Sequence, residues 1–239
     1  MQNKIIYIAE LDQDIDDLFA ILYLKRNNVL NCVVLDPYPK EEQGLERVKL
    51  IKNLGIKIES NFPKDTKYVF CGGRLTLLNE FVKTNKIDFL CMNGGFVGCN
   101  LVKKPLKKFQ NKETIRTFNF NMDVNATNGI LKSPNIKEIL LVGKNVCHNR
   151  INTKLGIWKN EPIFKEYNCS DTKLQHDMLA CREGLIYLGM IKEQSFLNFL
   201  KVYPFNEGLD KTMTKWGSTL DSKKSEYKEV LAAINWKNI

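Results

Sequence analysis

Short apolar segments that alternate with helical patterns constrain the fold of this chain more than any other feature of its sequence. The segments at residues 4–9, 30–36, 67–71, 87–92 and 137–143 have the length and composition of buried β-strands. Alternation of this kind specifies a mainly parallel sheet with helices on both faces, and we predict such an α/β fold. The helices predicted between the strands cover residues 15–27, 40–54, 75–84 and 123–132.

The chain after Asp177 shows mostly helical patterns, with predicted helices at residues 183–190, 193–202 and 223–236. It contains no internal repeat, low-complexity tract or linker that would divide it. A chain of 239 residues is long enough to bury a full hydrophobic core. We therefore predict a single domain over residues 1–239.

The cysteines and the N-terminal residues indicate the compartment. Seven scattered cysteines, without a Cys-x-x-Cys pair, are typical of a reducing compartment and argue against a zinc site. Residues 1–4 lead directly into the first predicted strand, which indicates that there is no signal peptide. No apolar run is long enough to span a bilayer. We predict a cytoplasmic protein without a membrane partner.

The net charge of +9 has two interpretations. Lysine far exceeds arginine, and Asn and Ile are abundant, so a compositional bias that solvates the surface explains the excess of basic residues. Attraction of ligands that carry phosphate explains it as well, although we do not expect nucleic acid as a partner. One segment keeps this second interpretation open. Its basic residues are Lys103, Lys104, Lys107, Lys108, Lys112 and Arg116.

Five acidic side chains stand within eight residues between the first predicted strand and the first predicted helix. The segment Glu10–Asp17 reads Glu-Leu-Asp-Gln-Asp-Ile-Asp-Asp. A helix start needs one or two carboxylates as caps, so capping does not explain five. Like charges this close raise each other's pKa unless a cation neutralises them, and oxygen ligands suit Ca²⁺ or Mg²⁺. Because α/β sheets bind ligands at the carboxyl ends of their strands, we interpret the cluster as a metal site in a cleft.

Polar residues and glycines follow the other predicted strands as well. They are Asp36, Cys71-Gly72-Gly73, Met92-Asn93-Gly94-Gly95 with Asn100, Phe118–Asp123, and His176-Asp177. Each of them alone has an ordinary explanation as a turn or a helix cap. Together they indicate one ligand-binding edge of the predicted sheet, the edge that also carries the acidic cluster.

The order of these segments resembles the nucleoside hydrolase family, the calcium-dependent N-ribohydrolases. The family's Asp-x-Asp-Pro-Gly-x-Asp-Asp motif corresponds to Glu10–Asp17, and its Thr-Gly-Pro-Leu-Thr-Asn motif to Gly72–Leu77. Its Glu-Phe-Asn segment corresponds to Thr117–Asn119, and its His-Asp-Pro to His176–Met178. The resemblance runs from residue 4 to about residue 191 and implies a nucleoside hydrolase-like fold with calcium as the cofactor.

The resemblance also implies roles for individual residues. It makes Asp12 both a calcium ligand and the group that activates the attacking water. It makes His176 the acid that protonates the leaving base. The other implied metal ligands are Asp17, Asp177 and the carbonyl oxygen of Gly72. The implied substrate-binding residues are Asp16, Asp36, Met92, Asn100, Thr117 and Asn119.

The largest departure from the family lies at Thr117, where the family has a Glu that holds the ribose 5′-hydroxyl. The preceding loop from Asn100 is longer than usual and contains the basic segment. Loss of an acid beside a gain of bases suits a 5′-phosphate, while drift of a surface loop explains the change equally well. Between His148 and His176 the chain is short for the family, so the parts that contact the base are missing or rebuilt.

These features predict hydrolysis of the N-glycosidic bond of a ribonucleoside or of a 5′-substituted, nucleotide-like relative, giving a free base and a ribose product. The expected partner is a small-molecule nucleoside or nucleotide, and the family resemblance leaves a homo-oligomer open. Two alternatives stay open. One is a catalytically silent nucleoside- or nucleotide-binding protein that keeps the metal site. The other is a metal-dependent phosphohydrolase that uses Asp12 and Asp14 as an Asp-x-Asp pair.

Overall fold

The computed structural model describes residues 4–12, 15–149, 175–210 and 213–235. The strands in these residues are β1 (Ile5–Ala9), β2 (Leu30–Leu35), β3 (Ile58–Glu59), β4 (Tyr68–Cys71), β5 (Ile87–Met92), β6 (Thr114–Arg116), β7 (Ile136–Leu141), β8 (Leu197–Asp210), β9 (Met213–Thr219) and β10 (Val230–Asn235). The α-helices are α1 (Asp16–Arg26), α2 (Glu42–Asn53), α3 (Thr76–Val82), α4 (Phe118–Met122), α5 (Val124–Lys132), α6 (Lys144–Cys147) and α7 (His176–Tyr187).

One sheet joins the described strands in the order β3-β2-β1-β4-β5-β7-β10-β8-β9-β6. The pairs from β3 across to β10 are parallel, and the remaining pairs are antiparallel. Helices connect the parallel strands, as α1 does between β1 and β2, because the chain must return to the same edge before the next strand begins. The predicted α/β fold with a mainly parallel sheet is confirmed.

The C-terminal part corrects the sequence prediction. The patterns at residues 193–202 and 223–236 predict helices, but the chain forms β8 and β10 there. The run Val230–Ile234 lies between β7 and β8 and is buried throughout. An apolar run this short cannot be told from a buried helix by its periodicity, so only its pairing decides the matter. The helix predicted at residues 183–190 overlaps the C-terminal half of α7.

The sheet buries side chains on both faces, as covered parallel strands do. In β1, Ile5, Tyr7 and Ala9 pack into the core formed with α1 and α7. Ile6 and Ile8 pack into the core formed with α3 and α5. Helices on both sides therefore hold the strand ends in place. Among the helices described, none has the length and apolar character to cross a membrane.

Candidate functional site

The carboxyl ends of four neighbouring strands face one cavity. The strand register aligns Ile8 with Cys71, Cys71 with Met92, and Met92 with Leu141. The turns after these strands therefore meet, and together with the start of α7 they enclose a cavity of about 540 Å³. Its lining residues are Glu10, Asp16, Asp17, Gly72, Asn93, Gly94, Thr117, Phe118, Asn119, Lys144, Cys147, His148, His176 and Asp177.

Three aspartates form the acidic wall of this cavity. Asp16 and Asp17 lie in the first turn of α1, and Asp177 lies in the first turn of α7. A side-chain hydrogen bond joins Asp16 to Asp177, and all three residues are buried. Gly72 lies against the wall, because an added Cβ would stand 2.7 Å from Cγ of Asp177 and would also collide with Oδ1 of Asp17. The starts of α1 and α7 thus converge beside the turn after β4.

Burial and mutual repulsion dominate the electrostatics of the acidic wall. Burial raises the pKa of Asp17 well above its usual value, and the charge of Asp16 raises it further. Burial likewise raises the pKa of Asp177, with Asp16 and Asp17 as further causes. Carboxylates in such a position either hold protons or need a cation, because burial disfavours an uncompensated charge.

Hydrogen bonds orient the carboxylates of the acidic wall. Oη of Tyr7 donates to Oδ1 of Asp17 over 2.7 Å, and the backbone N–H of Glu10 donates to its Oδ2 over 3.2 Å. Nδ2 of Asn93 donates to Oδ1 of Asp177 over 2.8 Å. These donors come from β1 and from the turns after β1 and β5, so the sheet itself positions the acidic wall.

Asn119 ties the start of α4 to the same place. Its Nδ2 donates to the carbonyl oxygen of Gly72 over 2.7 Å and to that of Asn93 over 2.9 Å. The structure therefore brings Asn119 together with Gly72, as the sequence suggests. The carbonyl oxygen of Gly72, a predicted metal ligand, accepts a hydrogen bond from a protein donor here.

Asp12 lies outside this cavity, contrary to its predicted place beside Asp17 and Asp177. Its carboxylate accepts hydrogen bonds from the backbone N–H of Lys40 at 3.0 and 3.1 Å and from that of Glu41 at 3.1 Å. Glu41 precedes α2, and its own side chain does not cap that helix. Asp12 supplies the acceptor instead, at a helix start where the dipole favours a negative charge.

Three predicted substrate-binding residues also lie away from the cavity, contrary to their predicted place beside the other site residues. Oδ2 of Asp36 accepts a 2.7 Å hydrogen bond from the N–H of Leu77, and Asp36 lines a separate groove. Met92 is fully buried at the end of β5. Asn100 is exposed, and its Nδ2 donates to the carbonyl oxygen of Ser218 over 2.9 Å. Hydrogen bonds hold Asp36 and Asn100 away from the cavity, and packing in the core holds Met92 away from it.

Three residues that line the cavity are basic, Lys144, His148 and His176, and the exposed Lys108 contacts one of them. We call these four residues the basic cluster. The rings of His148 and His176 have centroids 5.1 Å apart, and Nζ of Lys108 lies 2.5 Å from Nδ1 of His148. Burial lowers the pKa of His148 to about 3, with His176, Lys108 and Lys144 as further causes. Burial also lowers the pKa of Lys144, and Lys108 lowers it further.

The lysine-rich segment 103–116 divides between two places. Lys108 reaches His148 at the cavity, as the second interpretation of the net charge requires. Lys112 and Arg116 line a separate surface groove at β6. The other members of the segment, which are exposed, are Lys103, Lys104 and Lys107.

Thr117 lines the cavity and is only 1% exposed. Within the part of the chain that the structure describes, its Oγ1 has no hydrogen-bond partner. Leaving a buried hydroxyl unpaired costs about 1–3 kcal/mol, so the atom is well placed to bond a ligand instead. The sequence singles out Thr117 as a departure from the family, and the structure places it in the wall of the cavity.

Several cavity residues were not assigned a role from the sequence. The signal that marks them is position: the residues after β5 and β7 stand at carboxyl strand ends, where α/β sheets bind ligands. The residue types gave no such signal, since lysine and cysteine are abundant throughout this chain. These residues are Glu10, Asn93, Gly94, Phe118, Lys144, Cys147 and His148.

The donor chemistry of the acidic wall fits a hard cation. Three buried carboxylates and the carbonyl oxygen of Gly72 offer oxygen ligands only. Even so, the described residues contain no group of three or more His, Cys, Asp or Glu side chains arranged to hold a metal ion. The oxygens are engaged instead by one another and by Tyr7 and Asn93.

Comparison with known sequences yields two relatives. An uncharacterized protein of Aquifex aeolicus (strain VF5) is 30% identical over 185 residues, which are 66% of this chain and 60% of that protein. The protein "Pentatricopeptide repeat-containing protein 1, apicoplast" of Plasmodium falciparum (isolate 3D7) is 29% identical over 167 residues, 69% of this chain and 23% of that protein. The chain therefore spans less than two thirds of the length of either relative. No protein-family model matches it.

Comparison with solved structures yields an inosine-guanosine nucleoside hydrolase. The two chains superpose with a TM-score of 0.52 at 13% sequence identity, over 97% of this chain and 94% of that one. Identity this low makes the likeness an argument about the fold, because one fold serves many activities. The chain has a single-domain α/β fold that resembles the nucleoside hydrolase.

Proposed function

We propose that this chain is an N-glycosyl hydrolase that cleaves a ribonucleoside, or a 5′-substituted relative, into free base and a ribose product. The observation that carries the proposal is the acidic wall, where Asp16, Asp17 and Asp177 meet at the ligand-binding edge of the sheet. Cleavage of a glycosidic bond passes through a positively charged, oxocarbenium-like transition state, which carboxylates stabilise. The fold likeness to a nucleoside hydrolase supports this choice of reaction.

Calcium is the cofactor in this proposal, held by Asp17, Asp177 and the carbonyl oxygen of Gly72. These donors are all oxygen atoms, the ligands that Ca²⁺ prefers. Asp16 adds a further negative charge beside Asp177, so a divalent cation would relieve the repulsion that raises the pKa of these carboxyls. When bound, calcium would hold the attacking water and lower its pKa.

A carboxylate that faces the cavity is needed to accept the proton of the attacking water. The family resemblance gives this role to Asp12, whose carboxylate lies at the start of α2 in this structure. Glu10 and Asp16 line the cavity and are not assigned to calcium. One of these two accepts the proton in our proposal. The variants Glu10→Gln and Asp16→Asn distinguish them, because only replacement of the true acceptor should remove the acidic, low-pH limb of the pH–rate profile.

Asn119 and His176 serve the substrate in this mechanism. The Nδ2 of Asn119 is engaged by two carbonyl groups, so its Oδ1 is the atom that accepts a hydrogen bond from a ribose hydroxyl. His176 lines the cavity beside Asp177 and donates a proton to the leaving base. A general acid of this kind contributes about 10²–10⁴-fold to the rate. His176→Ala should therefore slow a natural nucleoside more than a nitrophenyl riboside, whose leaving group needs no proton.

The test is a screen of ribonucleosides and their 5′-monophosphates for release of free base and reducing sugar. We expect release that depends on added Ca²⁺ and stops with a chelator. Asp177→Asn should lower the rate by orders of magnitude, because it removes a charge from the acidic wall. Asp88→Asn is the matched control, since Asp88 is an exposed carboxylate on β5. No base release from any compound would contradict the proposed activity.

A catalytically silent nucleoside-binding protein is the second candidate, and the position of Asp12 favours it. A cavity that lacks the carboxylate expected to activate water would still bind a ribose and a base. Calorimetry with nucleosides separates the candidates, because binding without any product identifies the silent protein. The phosphohydrolase interpretation has no such support, since Asp12 faces α2 and Asp14 lies outside the described residues.

A further inference from the structure

Lys144 is a half-buried cation in the cavity wall. Among the described residues no carboxylate pairs with it, and the titratable groups that act on it are Lys108 and Cys147. Two ammonium groups close together in a partly buried place repel each other, so an anion between or beside them would be favourable. The acidic wall of the same cavity does not supply that anion, because none of its three aspartates is among the groups that shift the pKa of Lys144.

The surroundings of Lys144 extend this basic surface. Lys108 contacts His148, whose ring packs edge-on against Phe109 with centroids 5.8 Å apart. Phe109 in turn packs against Phe96, so the loop that carries Lys108 is anchored to the body of the protein. Lys108 is itself exposed, but its contact with His148 keeps its ammonium group beside the cavity wall. Thr117, with its unpartnered buried hydroxyl, lines the same cavity and offers a further hydrogen-bond donor.

We propose that the substrate of this cavity is an anionic ribonucleoside, whose negative group is bound by Lys144 and Lys108. This inference rests on the proposed function and names its substrate class. The negative group is either a 5′-phosphate or an ionised base, because both chemistries would be recognised by an ammonium pair. Carboxylates at one wall and ammonium groups at another would then orient the ligand, with its neutral ribose toward the aspartates and its anion toward the lysines.

The test compares kcat/KM for inosine, inosine 5′-monophosphate and xanthosine, whose base ionises near neutral pH. The variants are Lys144→Met, which keeps the length of the side chain, and Lys144→Arg, which keeps its charge. Lys103→Met is the control, because Lys103 is an exposed lysine of the same loop. We expect an anionic substrate to exceed inosine about tenfold or more in the native protein, since charge-assisted contacts are strong.

The expected pattern is loss of that preference in Lys144→Met, its retention in Lys144→Arg and no change in Lys103→Met. The preference should also weaken as salt rises, because partly exposed lysines are screened. A higher kcat/KM for the monophosphate than for inosine identifies the negative group as the phosphate. A higher kcat/KM for xanthosine than for inosine identifies it as the ionised base. Preference for inosine, with Lys144→Met slowing all three substrates equally, would overturn the inference and leave the proposed hydrolase intact.

If none of the three compounds is hydrolysed, the screen of ribonucleosides decides the proposed function, and binding decides the inference separately. Titration calorimetry then compares ribose 5-phosphate with ribose, and xanthosine with inosine, in native protein and Lys144→Met. Tighter binding of the anionic member of a pair, lost in Lys144→Met, supports the anion site without hydrolysis. Equal affinity within both pairs overturns it. Circular dichroism melting curves of each variant exclude loss of folding as the cause.

Discussion

Nδ2 of Asn93 donates a 2.8 Å hydrogen bond to Oδ1 of Asp177 and so joins the turn after β5 to the first turn of α7. Oδ1 of Asn93 accepts a weaker contact from Sγ of Cys147 at 3.6 Å, so the amide is held from both ends. Here the side chain fixes the orientation of a carboxylate that we assign to calcium, which is the kind of outer contact that tunes a metal site.

Replacing Asn93 should weaken calcium binding without unfolding the protein. In Asn93→Ala, Asp177 loses a donor that orients it, and we expect calcium affinity to fall about 10- to 100-fold, measured by titration calorimetry. Asn85→Ala is the control, because Nδ2 of Asn85 bonds only its own neighbourhood at the end of α3. Unchanged calcium affinity in Asn93→Ala would show that Asp177 is not a ligand or needs no orientation.

Removing the hydroxyl of Thr117 should affect ligand binding and stability in opposite ways. Thr117→Val eliminates a buried polar atom without a described partner, so we expect the free energy of unfolding to stay the same or to rise. Substrate affinity should fall, because in our proposal the hydroxyl forms a hydrogen bond with the ligand.

Thr127→Val is the matched control: Oγ1 of buried Thr127 donates to the carbonyl oxygen of Phe120 over 3.0 Å. Its loss should cost about 1 kcal/mol in urea unfolding. A similar cost in Thr117→Val would contradict the ligand-facing role.

Asp12 should behave as a helix cap in stability measurements. Asp12→Ala removes the acceptor for the N–H groups of Lys40 and Glu41, and we expect a loss of about 0.5–2 kcal/mol in the free energy of unfolding. Asp123→Ala is the positive control, since Asp123 caps α5 by accepting from the N–H of Ala126 over 2.9 Å.

The activity of the Asp12 variants tests whether Asp12 also activates the attacking water, as the family resemblance implies. Asp12→Asn keeps an acceptor oxygen at α2, so it should cost less stability than Asp12→Ala and leave base release within a few-fold of native. If Asp12→Asn instead abolished base release at unchanged stability, the turn that carries Asp12 would have to bring it into the cavity during catalysis. Base release is measured by chromatography at saturating calcium.

His148 should make stability depend on pH below neutrality. Its pKa is about 3 in the folded protein against an ordinary value of 6.5, so between these values the unfolded chain binds more protons. The contribution of His148 to stability is therefore complete above pH 6.5 and is lost progressively as the pH falls toward 3. In His148→Gln, the free energy of unfolding should fall less between pH 7 and pH 4 than in the native protein, as urea titrations at each pH would show. Parallel curves for both proteins would contradict a buried, neutral His148.

The strands of the parallel half could be predicted closely, whereas the C-terminal strands could not. Residues 4–9 and 87–92 are apolar, and they match β1 and β5 to within one residue. These strands are covered on both faces, so their composition alone marks them. Val230–Asn235 pairs with β7, which lies far back along the chain, and with β8, while Leu197–Asp210 also pairs with β9, the next strand. The patterns at residues 193–202 and 223–236 suit a helix equally well, so the pairing alone decides for strands.

Part of the candidate site could also be predicted from the sequence. The first turn of α1 carries Asp16 and Asp17, and the first turn of α7 carries Asp177. A parallel sheet brings such helix starts together at one edge. Asp36 and Asn100 were predicted at the same edge, but they form hydrogen bonds with Leu77 and Ser218, which are distant in the sequence and which no pattern along the chain reveals.

The α/β class and the acidic character of the sheet edge where the cavity lies could both be read from the sequence, because they follow from local composition and spacing. Only the tertiary structure decided which side chains enter the cavity. Asp12 turns to the N–H of Lys40, 28 residues away, and Lys108 meets His148, 40 residues away. Such contacts depend on how separate elements pack, and a side chain with two available partners takes the one that packing brings within reach.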